Sequence, residues 1–231
     1  MIYLTGDTHI PLDIDKLSRK NFPEQKTMER QDYVIVLGDF GLLWQHDKEY
    51  EYWLDILTHR KYTLLFVDGN HENFDWLNSL PVETWHGGKV HRVAENILHL
   101  MRGEIFELQG KKFFTLGGAV STDRIYRKEG LSWWAAEKPS FEEFDHGIKN
   151  LMAHENHVDY VLTHTCPDGV FPEIRLNIPN RWDPYGDHSV EEALGAIDRD
   201  IHYEGWYFGH WHIDFDYEKY HAMYNRVTRI L

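Results

Sequence analysis

The chain has 231 residues, 42% hydrophobic and 15% aromatic, which suits one sizeable core and gives no indication of disorder. Its 24 basic against 38 acidic residues leave a formal charge of −14, a field that repels polyanions, so nucleic acid is a disfavoured partner while a small phosphorylated substrate stays acceptable. Strand-like residues begin directly after Met1, no apolar run reaches the roughly 20 residues of a membrane span, and Cys166 has no partner for a disulfide; these features predict a cytoplasmic, non-membrane protein.

Ile2–Thr5, Tyr33–Leu37 and residues 62–67 are short β-branched and apolar runs with strand character. Residues 49–58 put Tyr50, Trp53, Leu54 and Leu57 on one helical face. Between Leu98 and Leu116 short strands surround a Gln109-Gly110 turn, which predicts a second sheet of more antiparallel character. A helix over 141–152 and a strand over Tyr160–Thr163 follow; Ser189 with Glu192 three residues later predicts a capping box, and 206–208 is a last strand. No repeat or linker divides the chain. The expected fold is therefore α/β, a two-sheet β-sandwich flanked by helices in one domain over 1–231, with a substrate-selecting rim within 73–160.

The position of polar residues relative to those strands carries the functional signal. Thr5-Gly6-Asp7-Thr8-His9 ends the first strand, Gly38-Asp39 the second, and Asp68-Gly69-Asn70-His71 follows the third; Thr163-His164 and Gly209-His210-Trp211-His212 end two more. Ligands of α/β sheets bind beyond the carboxyl ends of the strands, so these five groups can converge there. Glycine before four of the first ligands lets the chain turn sharply and approach an ion closely. Carboxylate, amide and imidazole together suit manganese or iron foremost, with zinc, nickel or cobalt compatible, and the absence of thiolates argues against structural zinc. The two oxygens of Asp39 can bridge a metal pair about 3.5–4 Å apart. Singly, each motif reads as an ordinary turn or a packed histidine; their joint occurrence at strand ends is what indicates metal ligation.

Asp7-Thr8-His9, Gly38-Asp39, Gly69-Asn70-His71-Glu72, His164 and Gly209-His210-Trp211-His212, in that order, closely resemble the calcineurin-like metallophosphoesterase superfamily over nearly the whole chain. The resemblance implies that Asp7, His9, Asp39 and His212 hold one divalent transition-metal ion and that Asp39, Asn70, His164 and His210 hold another. It further implies that His71 stands by the leaving group and not on a metal. The chain departs from the pattern at Leu42-Leu43, where many members carry an Asp, often followed by Arg; in the family's protein phosphatases that Asp orients the catalytic histidine. Its loss weighs against a protein phosphatase and poses the question of what positions His71.

The expected reaction is metal-assisted, in-line attack of water on phosphorus, with no covalent enzyme intermediate and with His71 assisting the departing oxygen. A small, nucleotide-like phosphoester is the expected substrate. The alternatives are a nuclease, which the net charge opposes, and a non-catalytic scaffold, for which ligands would be missing. Trp133, Trp134 and Trp182 are candidates for stacking a base at the rim, although core packing is the commoner role. Arg124, Arg127 and Arg181 are candidate phosphate contacts. Cys166 reads as an inert thiol close to the site.

Overall fold

The strand-forming runs are apolar at successive positions, the pattern required of strands covered on both faces. In the computed structural model, which describes residues 1–178 and 186–231, β1 (Ile2–Thr5), β2 (Tyr33–Leu37) and β3 (Thr63–Val67) are buried along their whole length, and α1 (Lys48–Thr58) joins the second to the third. The chain continues through α2 (Phe74–Leu77), β4 (Val82–Trp85), β5 (Gly88–Ala94), β6 (Ile97–Leu100), β7 (Glu104–Leu108) and β8 (Lys111–Leu116). After α3 (Phe141–Ala153), β9 (Tyr160–Thr163), α4 (Phe171–Asn177) and α5 (Ser189–Asp200) come β10 (Gly205–Phe208), β11 (Phe215–Tyr217), β12 (Tyr220–Ala222) and β13 (Thr228–Arg229).

Two mixed sheets result, one of seven strands ordered β13-β1-β2-β3-β6-β5-β4 and one of six ordered β11-β12-β10-β9-β8-β7. Alternation then assigns the faces. Ile2, Leu4, Ile35, Leu37, Leu65 and Val67 belong to the layer between the sheets, with Phe106, Phe113 and Leu162. Tyr3, Val34, Val36, Leu64 and Phe66 join Leu57 of α1 on the outer side of the first sheet. Phe114, Val161 and Trp206 pack with Leu151 of α3 and Leu194 and Ile197 of α5 on the outer side of the second. The expected helix-flanked sandwich is thus the observed one. Among the described residues no helix is long and apolar enough to cross a membrane.

Two local expectations are corrected. Only part of the 98–116 region belongs to the second sheet. Its first strand, β6, lies parallel to β3 in the first sheet, and the chain then crosses to the second, where β7 and β8 form a hairpin and β8 runs parallel to β9. Positive φ at Gln109 (51°) and Gly110 (77°) makes the tight turn of that hairpin. The capping box is not at Ser189 either. That hydroxyl bonds Asp187 Oδ1 at 2.5 Å, so a nearer carboxylate captures it, and a complete box instead opens α3, formed by Ser140 and Glu143.

Candidate metal centre

The parallel strands β1, β2 and β3, and likewise β9 and β10, end at one edge of the sandwich, and their loops converge there. Asp7, His9, Asp39 and His212 each offer a ligand atom within 4.8 Å of the others. On the other side of Asp39, His164 Nε2 lies 3.3 Å from Asp39 Oδ1 and 3.1 Å from Asn70 Oδ1, and His210 Nδ1 lies 2.9 Å from the same amide oxygen. Asp39 therefore turns Oδ2 toward His9, at 3.1 Å, and Oδ1 toward His164.

Backbone strain is concentrated in these residues. Asp7, His9, Asp39, His210 and His212 all have positive φ, between 30° and 64°, a conformation that non-glycine residues adopt at a cost of about 1–3 kcal/mol each. Glycine is needed beside them for a different reason: a Cβ on Gly69 would lie 2.0 Å from Asp39 Oδ1, and one on Gly38 2.0 Å from His164 Nδ1. The carboxylate and the imidazole occupy the space a side chain would take.

Bonds outside the cluster fix which nitrogen two of the histidines offer. His9 Nδ1 donates to Asp13 Oδ2 at 2.8 Å and His164 Nδ1 to the Leu37 carbonyl at 2.8 Å, so both turn Nε2 inward. His212, the most exposed of the set, stacks on Tyr224 with centroids 4.7 Å apart. Asn70 is aligned by a buried chain in which its Nδ2 donates to Ser121 Oγ (3.0 Å) and that hydroxyl donates to Glu137 Oε2 (2.6 Å). With Nδ2 so engaged, Oδ1 faces the two imidazoles. Asp13, Ser121, Glu137 and Tyr224 were not singled out from the sequence. Asp13 lies four residues beyond His9, a spacing with no special signature in a loop, and the others have no local mark.

The electrostatics describe a site that demands positive charge. Burial pushes the Asp7 carboxyl up to about 7, with His164 opposing and Asp39 adding to the rise. Burial would also raise Asp39, but His164 and His71 hold it well below the usual range. Burial disfavours the imidazolium form of His9, yet Asp39, Asp7 and Asp13 raise its pKa to about 9. His164 likewise rises to about 9 through Asp39 and Asp7, against its burial. Two buried carboxylates, inward-facing imidazoles and an aligned amide oxygen form a donor set that fits borderline to hard divalent cations.

His71 belongs to the same loop but not to the ligand cluster. Its backbone N–H donates to Asp39 Oδ1 at 2.7 Å while its ring stands edge-on to His9, centroids 5.4 Å apart. Burial lowers its pKa, with Asp39 opposing the effect and Arg127 and His9 adding to it. Leu42 and Leu43 are core residues.

Of the rim candidates, Trp134 is buried, bonded through Nε1 to Asp75 Oδ2 at 2.8 Å and set edge-on to Trp44, so it packs the interior instead of offering a stacking face. Trp133 is half-buried beneath the Arg124 guanidinium. Arg127 reaches His71. Cys166 is buried, and burial with Glu191 nearby pushes its thiol well up, which makes it inert. Arg181 and Trp182 lie outside the described residues.

A helix-flanked sandwich with this cluster at its strand ends defines the class, and the sequence match agrees: the chain belongs to the calcineurin-like phosphoesterase family, whose model matches residues 1–214. It is also similar to a lariat debranching enzyme of Schizosaccharomyces pombe, 25% identical over 161 residues that cover 65% of this chain. The chain spans 33% of the length of that relative.

Proposed function

We propose that this protein is a two-metal phosphoester hydrolase acting on a small, nucleotide-like substrate. Asp7, His9, Asp39 and His212 would hold one ion, and Asp39, Asn70, His164 and His210 the other. The observation that carries this reading is Asp39, whose two oxygens face different imidazoles from opposite sides of one buried carboxylate. When bound, such ions lower the pKa of water and neutralise charge at the phosphoryl group. The protein's own part is preorganisation: Asp13 and the Leu37 carbonyl keep His9 and His164 in the tautomers that offer Nε2, and Ser121 keeps the Asn70 oxygen inward. His71 would stand at the leaving oxygen and, in its imidazolium form, give it a proton as the ester bond breaks, returning to the neutral ring.

The whole chain acts as one catalytic domain in this reading. Of residues 73–160, β4 to β8 build the sheets, and the stretch after β8 that carries Ser121, Arg127 and Glu137 supplies the substrate rim. Manganese or iron are the proposed ions, and a cytoplasmic location agrees with the free, buried Cys166. The fission-yeast relative is named for debranching a lariat, whereas the charge of −14 opposes a long polyanion as substrate here. The test is turnover of monoester and diester substrates, nucleotides and cyclic nucleotides included, after manganese loading. Turnover of none of them, with metal bound, would remove the catalytic reading and leave a metal-binding scaffold.

A further inference from the structure

Arg127 and His71 are 56 residues apart in the chain, yet Arg127 Nη2 lies 2.9 Å from His71 Nδ1 and 3.1 Å from Nε2. An atom this near to both ring nitrogens cannot lie in the ring plane, because Cε1 stands between them. Arg127 Nη2 therefore sits over the face of the imidazole. A cationic N–H over a π face holds the ring electrostatically, and it leaves the in-plane direction of each ring nitrogen open to another partner.

Arg127 is itself held. Its Nη2 pairs with Asp123 Oδ2 at 2.7 Å, its Nη1 donates to the Ser132 carbonyl at 3.0 Å, and its side chain is only 15% exposed. These contacts occupy the edge of the guanidinium that would otherwise clamp a phosphate. At the other end, the His71 backbone N–H is tied to Asp39. In the loop after β2, Leu42 and Leu43 are packed in the core, and Asp39 holds the backbone of His71 and not its ring nitrogens.

We propose that Arg127, braced by Asp123, is the positioning residue of His71, so that the rim segment after β8 and not the loop after β2 sets the orientation of that ring. The proposal rests on the reading of His71 as the group at the leaving oxygen. Its consequence is that substrate-rim and leaving-group functions are mechanically joined. A rearrangement of the rim moves the proton donor.

Two independent readouts test it. In protein carrying ¹³Cε1-labelled histidine, with the His71 resonance assigned by its loss in His71→Asn, the wild type should give one narrow line. Arg127→Ala and Arg127→Gln should broaden or split that line, while the remaining histidine lines and the thermal midpoint stay unchanged. In manganese-loaded enzyme, Arg127→Ala should lower kcat by about 10- to 100-fold with KM within about 3-fold, and it should cost nothing further in a His71→Asn background. An unchanged His71 line in both variants overturns the positioning role. So do losses that multiply in the double variant, or a raised KM at constant kcat, which would make Arg127 a substrate contact. If the loaded wild type turns over no phosphoester, the catalytic reading fails, and the resonance still decides whether Arg127 orients the ring.

Discussion

Ser121 should control the metal side of the site without touching a metal. Its hydroxyl is the acceptor for Asn70 Nδ2 at 3.0 Å, and Asn70, Ser121 and Glu137 are all buried. Ser121→Ala removes that acceptor. The Asn70 amide then either keeps its orientation with an unsatisfied donor or flips, which points Nδ2 instead of Oδ1 at His164 and His210. A buried donor left without a partner costs about 1–3 kcal/mol, and at about 1.4 kcal/mol per tenfold this is a loss of about 5- to 150-fold in affinity at the Asn70 metal. The same range is typical when a partner of a metal ligand is removed. Manganese titration by calorimetry should show two sites in the wild type, with the variant weakened at one and Ser121→Thr recovering most of the loss. Equal weakening at both sites, or none, would refute the argument that this chain aligns Asn70.

Asp39→Asn should lower occupancy at both sites in elemental analysis, whereas Asn70→Ala should empty mainly one; equal losses would show that Asp39 is not the bridge. His71→Asn should retain both metals and lose about 10²–10⁴ in kcat, far more on alkyl than on nitrophenyl esters, because a nitrophenolate leaves without a proton. Equal losses on both ester types count against proton donation. Behind the Asn70 loop, Asp68 Oδ2 accepts from Arg102 Nε and Nη2 at 2.9 and 2.6 Å, and Oδ1 accepts from His99 Nε2 at 3.0 Å. Burial alone would raise the Asp68 carboxyl, but Arg102 and His99 hold it well below the usual carboxylate range. A depressed carboxyl contributes stability that is complete above its unfolded pKa of about 3.9 and disappears as pH falls toward the folded value. Asp68→Asn should therefore cost about 3–5 kcal/mol at pH 7 in urea unfolding, and the gap should narrow at pH 3. A gap of the same size at both pH values would mean that the ion pair is not its source.

The candidate ligands were legible in the sequence because they fall in five groups, each at the end of its own strand. Runs such as Tyr33–Leu37 mark a strand by residue type alone, and Gly38-Asp39 marks where it turns out of the sheet. Convergence then follows from the parallel topology such runs favour. The Gln109-Gly110 hairpin was legible for the same reason, since a tight turn depends on two adjacent residues. The partners that hold the ligands were not. Asn70 meets Ser121 51 residues away and His71 meets Arg127 56 residues away, and serine, glutamate and arginine are ordinary surface residues until folding buries them. The partition of 98–116 between two sheets was also settled in three dimensions, whereas the cap at Ser140, with Glu143 three residues on, is a local pattern that was not singled out from the sequence. Strand partners are chosen by proximity in the folded chain, and local pattern carries no record of that.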